Sequence, residues 1–188
     1  MKKTILAMLS ATAITIFASC GNTEQHEDSK EVAKEQNDTK FDDTNIEDDT
    51  KFAVSAADGG MLEVELGKLA QANGMAPQVK DLGKMMVDDH SKANEELKAM
   101  AQQKNISLPA AMSEDKQKKY DDFASKKGKD FDKAYTSFMV SDHKDVIDAF
   151  QKEADKGNDA DIKAWAAGKI AALQHHLQMS QTAEDAVK

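Results

Sequence analysis

Apolar residues recur every three or four positions from residue 51 to residue 186, and breakers cut that pattern into four long helical stretches and one short one. The first is expected from Lys51 to Ala72, where Asn73-Gly74 stops it, and the second from Pro77, a favoured first-turn residue, to Lys104. Asn105 to Pro109 interrupts the pattern. A short helix from Ser113 to Lys126 follows and ends before Gly128; the third long helix runs from Lys129 to Lys156, and the fourth from Asp159 to Ala186 after a Gly157-Asn158 turn. Short turns make antiparallel neighbours, so the expectation is an all-α four-helix bundle of two hairpins joined by a crossover that contains the short helix.

At 100° per residue the apolar stripes carry polar intrusions. Phe52, Ala56, Gly59, Glu63, Leu66 and Ala70 share one line, which turns Glu63 inward and leaves Glu65 toward solvent. In the second helix Val79, Leu82, Met86, His90, Ala93, Leu97 and Met100 align, with Asp89 on the flank and Asp88 facing water. The third presents Phe131, Tyr135, Phe138, Met139, Asp142, Val146 and Phe150, with His143 at the edge of that face. Ile162, Trp165, Leu173, His176 and Ser180 align in the fourth, and His175 points away. Counted from the hairpin turns, Glu63, His90, His143 and His176 lie about 17, 23, 22 and 28 Å along their helices, so they meet near mid-bundle whether the two turns share an end or not.

Residues 1–50 do not follow the helical pattern. Lys2 and Lys3 precede an apolar run from Thr4 to Phe17, and Ala18-Ser19 places small residues before Cys20, the only cysteine. The arrangement is similar to a bacterial lipoprotein signal, in which residues 1–19 are removed and Cys20 becomes the lipidated first residue. That implies a lipid-anchored envelope protein of the outer membrane, with no thiol left for a disulfide or for catalysis. Gly21 to Thr50 holds eleven acids against three lysines and few apolar residues, so it is expected to be a disordered acidic tether, with residues 51–188 as the domain. A calcium-binding role for that arm lacks the required loop spacing and turn glycine.

The 188 residues carry 25 cations, all of them lysine, against 34 acids, for a net charge of -9. Without arginine and with that balance, nucleic acid is excluded as a partner class. No glycine-rich phosphate loop, G-x-S-x-G elbow or H-E-x-x-H motif occurs, which favours a module without enzymatic activity.

Two readings of the mid-bundle residues stand. One is a hydrogen-bonded cluster, such as Glu63 with His90, that fixes helix register in a structural, stress-related or partner-binding lipoprotein. The other is a transition-metal or redox site built from Glu63, His90, His143 and His176, with Asp89 and Asp142 as ligands or as partners that orient the ligands. Met86/His90, Met139/His143 and His175/Met179 pairs would add soft copper ligation.

Four ordered motifs carry a family resemblance: Gly59 to Ala70, Met86 to Leu97, Met139-Val140-Ser141-Asp142-His143, and His176-Leu177. Over residues 50–183 the chain resembles a domain-of-unknown-function family of exported bacterial proteins, often labelled predicted outer membrane protein and grouped with ferritin-like bundles. The resemblance implies a ferritin-like four-helix bundle in the cell envelope, but no activity. It departs from true di-iron bundles, since Val87, Val140 and Leu173 stand where a Glu three residues before His90, His143 and His176 would be required.

Overall fold

A computed structural model describes residues 27–42 and 44–188. Among them the chain forms six helices and no strand: α1 Ser29–Phe41, α2 Glu47–Asn73, α3 Pro77–Lys104, α4 Glu114–Ala124, α5 Gly128–Lys156 and α6 Ala160–Val187. Local chemistry explains the boundaries. Pro77 opens α3, and Asn105, left-handed at φ 57°, closes it. The Ser113 hydroxyl accepts from Lys116 N at 3.4 Å to start α4, and Asp159 accepts from Asp161 N and Ile162 N at 3.0 Å to start α6. Gly128 does not merely end the preceding segment; at φ +58° it begins α5.

The α2–α3 and α5–α6 hairpins lie against each other, α2 beside α5 and α3 beside α6. Each hairpin turn is held by a buried aspartate of the other hairpin. Asp132, near the start of α5, accepts from Met75 N at 2.9 Å and Ala76 N at 2.8 Å in the α2–α3 turn. Asp49, near the start of α2, accepts from Asn158 N at 2.9 Å and from Asp159 N at 2.5 Å in the α5–α6 turn. These donors are the unpaired amides of a turn and a helix start, which a carboxylate satisfies better than water can in a buried site. The two turns therefore sit at opposite ends of the bundle, and residues 105–127 cross its full length. Where α2 meets α3 their backbones almost touch: a methyl group on Gly67 would lie 2.7 Å from Gly83 O.

Apolar packing fills the two ends. Leu62, Leu66, Leu82, Met86, Phe131, Tyr135 and Met139 form one cluster toward the α2–α3 turn. Ala53, Leu97, Ile106 and Ile162, with Ile147, Phe150, Ala166 and Leu173, fill the other end.

The structure corrects the expected boundary at residue 51. Residues 29–41 are not a disordered tether but helix α1, packed on α2, and α2 itself begins at Glu47. The segment's polarity is real; what its composition concealed is where the polar groups go. Asn37, buried, donates from Nδ2 to Ser107 O at 2.8 Å and accepts from Ser107 N at 2.7 Å. Asp28 caps α1 through Lys30 N at 2.9 Å and also accepts from Glu114 N at 2.7 Å, joining the starts of α1 and α4. Asp58, fully buried, accepts from Ser113 N at 2.8 Å and from its hydroxyl at 2.9 Å, with Lys30 Nζ 3.5 Å away. Low hydrophobicity predicts disorder only when polar side chains have no folded partners, and these have them. Cys20 and the rest of residues 1–26 lie outside the described residues.

Asn37→Ala removes both bonds to Ser107 and should weaken α1 docking by about 1–3 kcal/mol. Amide exchange would then show lost protection across residues 29–41 with α3 unchanged. Equal protection in both would show that α1 docks by other means.

Candidate metal centre

Between the two apolar ends lies a layer of four buried polar side chains, one from each long helix. Glu63 of α2 is 3% exposed, His90 of α3 7%, His143 of α5 0% and His176 of α6 2%. The ring centroids stand 5.9 Å apart for His90 and His143, 5.1 Å for His90 and His176, and 5.4 Å for His143 and His176. His143 is therefore at the centre of the buried face of α5 and not at its edge, because that face is drawn toward α6 through Ile147. Asp142, expected on the face, is displaced to its half-buried margin.

Every ring has one nitrogen bound to an oxygen that only accepts. His90 Nδ1 donates to Glu63 Oε2 at 2.9 Å, His143 Nδ1 to Met139 O at 3.0 Å, and His176 Nε2 to Asp89 Oδ2 at 2.8 Å. Each proton is thereby assigned, and in a neutral ring the remaining nitrogen carries a lone pair. Those remaining atoms, His90 Nε2, His143 Nε2 and His176 Nδ1, are buried without a partner, as is Glu63 Oε1. Glu63 Oε1 is 3.5 Å from His143 Nε2, two acceptors face to face. One ligand atom from each of the three histidines lies within 4.8 Å of the others, and Glu63, Asp142 and His143 form a second such group.

Charge follows from these contacts. Burial alone would raise the Glu63 carboxyl, but the neighbouring His90 overcomes it and holds Glu63 well below the usual carboxylate range. Burial disfavours a charged His90, yet the charge and hydrogen bond of Glu63 leave its proton held more tightly than usual. Burial pushes His143 down, and pushes His176 down to about 4 despite the bond to Asp89. Asp142 is pushed up to about 7 by burial and by the charge of Glu63. Burial also raises the phenol of Tyr135, whose hydroxyl has no partner.

The six residues expected from the sequence are thus all at this layer: four in it, Asp89 at its outer edge holding His176, and Asp142 beside Glu63 and His143. The copper variant loses a pair, since His175 is exposed. Met86 and Met139 are fully buried in the neighbouring apolar cluster. Asn94 was not anticipated. One turn beyond His90, its Oδ1 occupies the space of the missing Gly60 side chain, 2.1 Å from where a methyl would be. The signal for it was the Gly59-Gly60 pair within a helix.

Residues 30–183 match the family model described as Domain of unknown function (DUF4142). The chain belongs to this family. No curated protein and no solved structure matches it. Since residue 30 lies within α1, the matched region of this DUF4142 chain takes in nearly all of that helix as well as the two hairpins.

The depressed histidines give a pH signature in metal-free protein. His176 titrates near 6.5 when unfolded and about 4 when folded, so its contribution is complete above pH 6.5 and is lost as pH falls toward 4. With a chelator present, the stability advantage of wild type over His176→Gln should shrink by about 2–3 kcal/mol from pH 7 to pH 4. Denaturant titrations at several pH values measure it; a difference independent of pH would contradict the assigned environment.

Proposed function

We propose that this protein is a metal-binding module of the cell envelope, holding one divalent first-row transition ion in a ferritin-like four-helix bundle. The observation that carries the reading is the convergence of one ring nitrogen each from His90, His143 and His176, all within 4.8 Å of one another and none with a hydrogen-bond partner, while Glu63 holds His90 from behind. A structural hydrogen-bond cluster would pair its buried ring nitrogens with donors; here three of them share a space that a cation would satisfy. Nitrogen and carboxylate donors without thiolate suit zinc, iron, manganese or cobalt. A tetrahedral ion about 2.0–2.1 Å from each donor needs the donors roughly 3.4 Å apart, so binding would draw the rings slightly inward.

The outer contacts support the same reading. Asp89, the Met139 carbonyl and Glu63 Oε2 hold the three ring tautomers, the arrangement by which proteins orient metal-binding histidines. The helix order, with hairpins crossed end to end by residues 105–127, supports the ferritin-like assignment, while the absence of Glu-x-x-His pairs argues against a carboxylate-rich di-iron centre.

Titration calorimetry of chelator-treated, untagged protein should give one ion per chain, with affinity falling as pH drops through the raised titration of His90, the ligand whose extra proton competes with the ion, and again toward pH 4 as His176 is protonated. A hundredfold excess over Kd should stabilise the fold by about 2.7 kcal/mol. Alanine at His90, His143 or His176 should abolish tight binding, and Asp89→Ala should weaken it about 10–100-fold. His175→Ala should change nothing. No heat and no melting shift with zinc, cobalt, manganese or ferrous iron would leave only the scaffold reading.

The envelope location rests on Lys2, Lys3, the apolar run and Cys20. No helix among the described residues is long and apolar enough to cross a membrane, so under this reading the lipid on Cys20 is the anchor. Cys20→Ala should move the protein from the membrane pellet to the soluble fraction of cells expressing it; full retention in the pellet would refute lipid anchoring.

A further inference from the structure

The histidine layer is not sealed. A cavity of about 330 Å³ opens from the bundle surface and reaches Glu63 and His90, the two sides of the layer formed by α2 and α3. Its wall is apolar on one side, with Phe52, Val146, Phe150 and Trp165, and polar on the other, with Asn94, Lys116 and Asp142. That size lies at the small end of ligand pockets and exceeds what a water channel to a metal requires.

The floor of the cavity explains an otherwise unfavourable sequence choice. Gly59 stands in the interior of α2, one turn before Glu63, where glycine costs about 1 kcal/mol relative to alanine. No close packing demands it, since a methyl group built there meets no atom within 4 Å and the backbone has no left-handed φ. What a side chain at position 59 would do is enter the cavity. Ser55, Ala56 and Gly60 continue the same small-residue floor, which leads to the unpartnered, almost fully buried Glu63 Oε1. Packing has been forgone along a path that ends at the donor atoms.

We infer that this cavity admits a small organic ligand with an apolar, ring-sized body and one anionic oxygen, carboxylate or phenolate, which binds the metal held by the three histidines. The inference rests on the metal reading above. Aromatic walls at Phe52, Phe150 and Trp165 suit the body. A divalent ion on three neutral imidazoles keeps its full charge, and three protein donors leave a fourth position for an oxygen. Lys116, on the wall, adds a second cation. Asp142 and Asp145 also line the cavity and disfavour ligands carrying a second negative charge.

Cobalt(II) makes the test visible, because its absorption bands report the coordination of the ion. Full-length protein loaded with cobalt should change spectrum on addition of benzoate, and acetate, which has the same donor but no ring, should bind at least tenfold more weakly. Gly59→Leu should keep the cobalt spectrum and melt no lower than wild type, yet bind benzoate at least tenfold more weakly; Gly59→Ala should bind it nearly as well as wild type. Benzoate and acetate binding alike, unaltered benzoate affinity in Gly59→Leu, or cobalt bands that ignore benzoate would each overturn the ligand site while leaving the metal reading intact. If no cobalt bands form at all, the metal reading fails and the ligand site with it.

Discussion

Four buried polar atoms without hydrogen-bond partners, gathered at one level of the bundle, constitute the constraint on which the rest of this molecule turns. Leaving one buried polar atom without a partner costs about 1–3 kcal/mol, and the layer gathers four of them at one level of the bundle. The arrangement is stable only because each ring is fixed from behind and because apolar clusters at both ends supply the cohesion the layer lacks. The contact between His90 Nδ1 and Glu63 Oε2, 2.9 Å apart, eases part of that cost.

Such a layer demands that four helices hold the same height. The crossed clamps provide this. Asp132 and Asp49 each bind the turn of the opposite hairpin, so neither hairpin can slide along the other without exposing backbone amides that have no second partner. The close approach of Gly67 and Gly83 fixes the α2–α3 crossing in the same way. Because α2 carries Glu63 and also the floor of the cavity, its outer side is covered too: Asp58 ties it to the start of α4, and α1 lies over the connection through Asn37 and Ser107. The N-terminal helix is thus part of what keeps α2 in register.

Much of this was legible in periodicity. Long stretches bounded by Pro77, Asn105 and Gly157 have few alternatives to the helices they form, and a charged or imidazole residue on an apolar stripe stands out because burial is costly. Glu63, His90 and His176 were found that way. The position of His143 was misjudged because one helix viewed alone has a broad apolar face, and only contact with α6 decides its centre. Residues 29–46 were misread for a related reason. Composition measures how much apolar surface a segment can bury, whereas α1 is held by specific polar bonds from Asp28 and Asn37 to residues about 70 to 86 positions away, which no local pattern encodes.

The glycine at position 59 belongs to a further category, in which the sequence signal is an absence. A helix-interior glycine can reflect close packing or open space, and the stripe containing Gly59 does not distinguish them. Gly60, its neighbour, is of the first kind, since Asn94 fills its place; Gly59 is of the second, with nothing near enough to fill it. Two adjacent glycines therefore have opposite physical causes. The first lets α3 present Asn94 at the wall of the cavity, and the second keeps the cavity open one turn from Glu63. A bundle selected for stability alone would replace Gly59 with alanine or leucine and gain both helix propensity and buried surface. Glycine at this position forgoes that stability and leaves the approach to Glu63 open.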